Sequence, residues 1–132
     1  MKLYSIAMFF GISLQTSSVY AESNEFISYF PTGEIQQITL YNNGKRSEVK
    51  KYFQNGSVKS ILKYSNGIQS KLTVYRPSGS ILGVGEIHNQ QVRKSTIFYP
   101  TGNIKKITEI NGKELNVKNY DINGNLLNNP LN

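Results

Sequence analysis

Few residues in this sequence have the type and spacing that covalent chemistry needs. His88 is the only histidine and cysteine is absent. A structural or catalytic zinc site therefore lacks its usual donors, and disulfides, thiolate nucleophiles and a lipidated cysteine are excluded. His88 reads as an exposed strand-end residue. The acids Glu34, Glu48, Glu86, Glu109, Glu114 and Asp121 are scattered along the chain. Glu86 and Glu109 occupy equivalent positions of a repeat, so they are expected to lie near each other on a sheet. A glycosidase needs such a carboxyl pair, but repetition alone accounts for this one. No Gly-x-Ser-x-Gly elbow is present. Gly44-Lys45 and Gly112-Lys113 lack the remaining glycine spacing of a phosphate-binding loop. Asn55-Gly56-Ser57 has the form of a glycosylation sequon, yet Asn-Gly there is what a tight turn requires. The chain reads as non-enzymatic, with no cofactor, metal or small-molecule substrate expected.

What the sequence does carry is a period. The aromatics Tyr29, Tyr52, Tyr75, Phe98 and Tyr120 each open a similar stretch, and a glycine follows each: Gly33, Gly56, Gly79, Gly102 and Gly124. Complete units run over 29–51, 52–74, 75–97 and 98–119, and a partial unit starts at 120. A fixed period of this length marks a repeat architecture. Phe26–Phe30 aligns with Val49–Phe53, so it reads as the second half of a missing first unit.

Each unit contains two turn signals. The first is Pro-Thr-Gly, Pro-Ser-Gly or a polar equivalent, ending in a glycine suited to positive φ. The second is Asn43-Gly44, Asn66-Gly67 or Asn111-Gly112, a strong hairpin signal. Asn89-Gln90 departs from this pattern, and its tip is expected to be the most distorted or mobile. The fourth unit is one residue short, which is expected to shorten its Asn-Gly loop. Ile35, Val58, Ile81 and Ile104 are expected on one face with Tyr41, Tyr64, Ile87 and Ile110. By the period of two, Ile38, Ile61, Val84 and Ile107 fall on the other. In the return strands, Val49, Leu72 and Val117 oppose Tyr52, Tyr75, Phe98 and Tyr120 across the sheet. These patterns predict an all-β fold of consecutive antiparallel hairpins of about 23 residues. Apolar rows on both faces predict an elongated sheet that curls or stacks on itself.

The pattern Y-x-x-[NTS]-G-x-[IV]-x-x-[IV], followed by Asn-Gly and a return strand, resembles the MORN repeat variant. More narrowly, it is similar to the bacterial YwqK-family antitoxin type. Tyr52-Phe53-Gln54-Asn55-Gly56-Ser57-Val58-Lys59-Ser60 and Asn66-Gly67 match best, and the likeness extends from Tyr29 to about Leu127. Arg46-Ser47, Gln69-Ser70 and Val92-Arg93 stand where many members of that family have Asp-Gly. The resemblance implies a repeat scaffold that binds or neutralises a partner protein.

Charge and the N-terminus complete the reading. The formal net charge is +7. Lys50, Lys51, Lys59, Lys63, Lys105 and Lys106 are the candidate basic contact face, suited to an acidic protein or an anionic envelope surface. Lysines on strands also guard sheet edges against aggregation. Met1–Ala21 has the basic start, apolar run (Leu3–Leu14) and small-residue end of a signal peptide. Its apolar run is too short for a spanning helix. Residues 22–132 are then one secreted or periplasmic domain, for which nucleic acid is a poor partner. If cleavage follows Ala21, mass spectrometry of the exported protein finds Glu22 at the N-terminus; an intact Met1 overturns the assignment.

Overall fold

A computed structural model describes residues 23–127; the expected leader lies outside them. The strands are β1 (Ser23–Tyr29), β2 (Ile35–Asn42), β3 (Lys45–Tyr52), β4 (Val58–Ser65) and β5 (Ile68–Tyr75). They continue as β6 (Ile81–His88), β7 (Gln91–Phe98), β8 (Ile104–Asn111), β9 (Glu114–Tyr120) and β10 (Leu126–Leu127). All lie in one antiparallel sheet in consecutive order. This is the hairpin-repeat architecture that the period predicts. The sheet is open and at most weakly curled. It does not stack on itself, because substantial contacts join consecutive strands only. Enclosure is correspondingly slight: among the described residues Val49 and Ile87 are the best-buried apolar side chains, at 8% and 7% exposed.

Two kinds of turn alternate along the chain. At the first, Gly33 N donates to Phe30 O (2.9 Å) and Phe30 N donates to Glu34 O (2.8 Å). This is a type I turn followed by a left-handed residue, a common three-residue hairpin loop. Pro31 occupies the position where its fixed φ is an advantage. The same pair of hydrogen bonds recurs at Phe53, Arg76, Tyr99 and Asp121. Gly33, Gly56, Gly79, Gly102 and Gly124 all have positive φ here, between 83° and 101°.

Neighbouring turns are tied together along this edge of the sheet. Gln54 Nε2 donates to Thr32 Oγ1 (3.1 Å). Asn103 Nδ2 donates to Ile122 O (2.8 Å), and the equivalent Ser57 Oγ lies 3.3 Å from Pro77 O. Arg76 donates to Phe98 O, and the equivalent Tyr99 hydroxyl donates to Tyr120 O (2.9 Å). Each such bond runs from one unit to the next. Asn55 is also committed to its turn: its Oδ1 accepts from Ser57 N (3.0 Å) and Ser57 Oγ (2.7 Å).

The second kind of turn is a two-residue loop. Asn43-Gly44 and Asn66-Gly67 have positive φ at both residues, as a type I′ turn demands. Asn89-Gln90 is not distorted as expected. It takes the same conformation, with φ of 52° and 61°, and Gln90 carries the strain of a side chain in the left-handed region. The fourth unit differs in a way the sequence reading misplaced. Asn111 and Glu114 are paired, leaving Gly112-Lys113 as the loop. Gly112 has φ 64° while Asn111 and Lys113 are not in the positive region, which fits a type II′ turn with glycine first.

Bulges explain both this difference and the facing of the columns. In β3, β5 and β7 the return strand carries one extra residue, at Ser47, Ser70 and Arg93. Ser47 Oγ donates to Leu40 O (3.2 Å), and Ser70 Oγ donates to Lys63 O (3.1 Å). The β8–β9 pair has no such bulge. The missing residue of the fourth unit is therefore the bulge residue of the return strand, not a loop residue. A second set of bulges follows the first turns, with Gln36, Lys59, Leu82 and Lys105 as extra residues. These shift Ile35, Val58, Ile81 and Ile104 opposite Tyr29, Tyr52, Tyr75 and Phe98. They thus share a face with Ile38, Ile61, Val84 and Ile107, and not with Tyr41, Tyr64, Ile87 and Ile110 as the period of two predicts.

Two consequences are measurable. Gly56→Val places a β-branched residue at φ 83°, and the expected loss is about 2 kcal/mol or more. Gln90→Gly removes strain and is expected to be neutral or to stabilise by up to about 1 kcal/mol. Thermal melts compare the two, and equal losses contradict the turn assignment. At the last turn, Asp121 accepts from Asn123 N (2.9 Å), Asn125 N (2.8 Å) and Asn125 Nδ2 (2.9 Å). The Asn125 side-chain bond, then the backbone bonds, hold its carboxyl below the ordinary aspartate range. Its stabilisation is present above the unfolded-state pKa and is lost as pH falls through the folded one. Asp121→Ala should lower the melting temperature at neutral pH and match the wild type in strong acid.

Candidate binding surface

The register assigns the strand residues to two chemically distinct faces. On one, a central row crosses the sheet as Phe26, Thr39, Val49, Leu62, Leu72, Gly85, Ser95, Thr108 and Val117. On the other, the row Glu25, Leu40, Glu48, Lys63, Lys71, Glu86, Lys94, Glu109 and Asn116 alternates signs over much of its length. All strand acids among the described residues, Glu25, Glu48, Glu86, Glu109 and Glu114, lie on this mixed-charge face. The first face is free of acids and carries Arg46, Lys51 and Lys106. Period alone could not reveal this, because the bulges decide which neighbours share a face.

The acid-free face has its densest polar and aromatic grouping near the Asn-Gly tips of the first two units. Phe26 and Tyr41 meet edge to face, with ring centroids 5.4 Å apart. Arg46 lies opposite Tyr41 and donates from Nε to its hydroxyl (3.4 Å). Tyr41 first, and then Tyr64, hold the guanidinium even more firmly protonated than usual. At the tips, where Asn42 and Lys45 of the mixed-charge face come round the edge, Asn42, Asn43, Lys45, Arg46, Ser47, Tyr64 and Asn66 border a shallow depression of about 250 Å³. Two cations, three carboxamides and a tyrosine with no acid among them suit a carboxylate or another hydrogen-bonding anion. Farther along this face, Gly83 and Gly85 leave room in β6. A Cβ at Gly83 would stand 3.0 Å from Ile97 Cδ1, so the isoleucine side chain lies over the glycine.

The six lysines singled out in the sequence do not gather on one face. Lys50 and Lys63 are on the mixed-charge face, and Lys51 and Lys106 are on the acid-free face. Lys59 and Lys105 are bulge residues, with Nζ 5.7 Å from the Phe53 ring centre and 5.5 Å from that of Tyr99. The repeat aromatics Tyr52, Tyr75 and Phe98 pair with Val58, Ile81 and Ile104 on the mixed-charge face. Arg46, Tyr41 and Tyr64 are the grouping that the lysine count overlooked. The signal available was the lone arginine after the first Asn-Gly, six residues before Tyr52.

Glu86 and Glu109 are not adjacent. Lys94 stands between them, paired with both, and its Nζ lies 3.0 Å from Glu109 Oε1. That hydrogen bond holds the Glu109 carboxyl below its ordinary range, whereas a general acid needs a raised one. His88 is exposed and pairs with Gln91 at a strand end. Among the described residues, no group of three or more His, Cys, Asp or Glu converges as a metal site.

Residues 23–43 and 47–66 match the model of the MORN repeat variant family. Here the chain resembles the MORN repeat variant. Each matched stretch contains a return strand, a glycine turn and an outgoing strand, so the family unit is centred on the three-residue loop. No curated protein matches the chain. Among solved structures, accessory secretory protein 1, 2 and 3 in Streptococcus pneumoniae matches with a TM-score of 0.51 at 12% identity. That match covers 72% of this chain and 18% of the other, so the likeness is to a small part of a larger chain. A GtfA/B complex bound to UDP and GlcNAc matches with a TM-score of 0.41 at 12% identity, over 72% of this chain and 24% of that one. At 12% identity, the likeness to the accessory secretory protein structure is one of fold.

Proposed function

We propose that this chain is an exported, non-enzymatic repeat scaffold whose acid-free face binds a partner protein, in the manner of an immunity-like or antitoxin-like factor. The observation that supports this reading is the segregation of charge. A single-layer sheet exposes both faces, and among the described residues all of the strand acids lie on one of them. The other presents hydroxyls, carboxamides, tyrosines and three cations, which favours a partner with carboxylates set in a flat polar surface. Repeat sheets offer extended surfaces of this kind. Export rests on the leader pattern of Met1–Ala21. Among the described residues no helix is long and apolar enough to cross a membrane.

The same cations favour a second reading, a peripheral envelope protein held on anionic lipid or polysaccharide. Capture from an envelope extract, followed by mass spectrometry, distinguishes the two. The first reading expects one protein to be retained by the wild type and lost, at least tenfold, by Arg46→Glu with Lys51→Glu. Sedimentation with anionic vesicles that the same double substitution and high salt abolish supports the second reading instead. Retention unaffected by the double substitution rules out the acid-free face as the contact.

A further inference from the structure

Among the described residues, the outer edge of β1 is built for pairing and has no partner in the sheet. Edge strands are normally protected by lysines, prolines, brevity or a covering segment. β1 is seven residues long and contains no proline, lysine or arginine. Its apolar side chains are open to solvent, with Phe26 65%, Ile27 42% and Tyr29 56% exposed. The lysines of this basic chain lie elsewhere, many on β3, β4 and β8, whose edges are already paired on both sides. They protect no edge.

The repeat says what kind of edge this is. Phe26–Phe30 aligns with Val49–Phe53, so β1 is the counterpart of β3, which bonds to β2 and β4. At the far edge, β10 comprises Leu126–Leu127 among the described residues, two residues against the seven of β1.

We propose that β1 pairs antiparallel with β1 of a second copy about a two-fold axis, giving one continuous sheet. An isologous contact requires a strand that tolerates its own image. Centred on Phe26, the pairing sets Phe26 against Phe26 of the second copy, beside the Phe26–Tyr41 contact on the acid-free face. Glu25, the one charged residue of β1, then faces Ile27 of the second copy, so no like charges meet. The axis is normal to the sheet, so both acid-free faces point the same way and the binding surface of the dimer is doubled.

Because cysteine is absent, Phe26→Cys gives a single thiol whose self-crosslinking reports the contact. Under mild oxidant, Phe26→Cys should yield covalent dimer at least tenfold faster than Ile68→Cys, which is also exposed but lies at a hairpin tip. Sedimentation of the unmodified protein across about 1–100 µM, a range suited to a small interface, should show monomer and dimer only. Phe26→Lys with Ile27→Lys should remain monomeric, whereas Leu127→Lys should dimerise like the wild type. Should the lysine variant fail to fold, hydrogen exchange on the unmodified protein serves: β1 amides gain protection as concentration rises. A protein monomeric throughout, equal crosslinking at both cysteines, dissociation by Leu127→Lys, or growth beyond dimer overturns the proposal.

Discussion

The structure depends on the backbone hydrogen bonds between each strand and the strands next to it in sequence. The described residues form one layer with no second sheet or helix to press against, and among them Val49 and Ile87 are about as enclosed as an apolar side chain becomes. What burial there is comes from rows of side chains lying across neighbouring strands, each covering part of the next. An isolated hairpin of this kind is marginal in water. Adding hairpins raises the number of interior strands faster than the number of edges, and stability accumulates through nearest neighbours. The bonds from Arg76 to Phe98 and from Tyr99 to Tyr120 reinforce the same neighbour relation at the glycine turns.

How much of this is legible in the sequence depends on the kind of feature. The period, the strand count, the order and the glycine turns can be read directly, because each rests on a local requirement repeated in one chain. Five glycines in the same turn position announce five similar loops. The faces cannot be read the same way. A bulge adds one residue without any special residue type to mark it: Gln36, Lys59, Leu82 and Lys105 have nothing in common chemically. One uncounted residue turns a whole column to the other side, which is why Ile35 and Tyr41 were expected together and lie apart. The return-strand bulge is partly signalled, since Ser47 and Ser70 have hydroxyls that bond back across the pair.

The candidate surface shows the same division. Counting lysines identifies a basic chain but not a basic face, because Lys50 and Lys51 are neighbours in sequence and opposite in the sheet. The informative residues were the acids. Once the register is known, their confinement to one face leaves Arg46, Lys51 and Lys106 without opposing charge on the other. The Arg46 grouping with Tyr41 and Tyr64 draws on residues from two successive units, so no single unit contains it. Its assembly requires both the loop geometry of Asn43-Gly44 and the bulge at Ser47.

Consecutive strand order has a mechanical consequence. The first and last described strands are opposite borders of the sheet, with β1 at one and β10 at the other. Tension between the two acts on these border strands first and opens their hydrogen bonds one after another, as in a zipper. No interior strand is loaded until its outer neighbour has gone. Each hairpin released lengthens the chain by up to about 3.3–3.6 Å per residue, so the protein yields in a series of similar small extensions while the remaining sheet keeps its form.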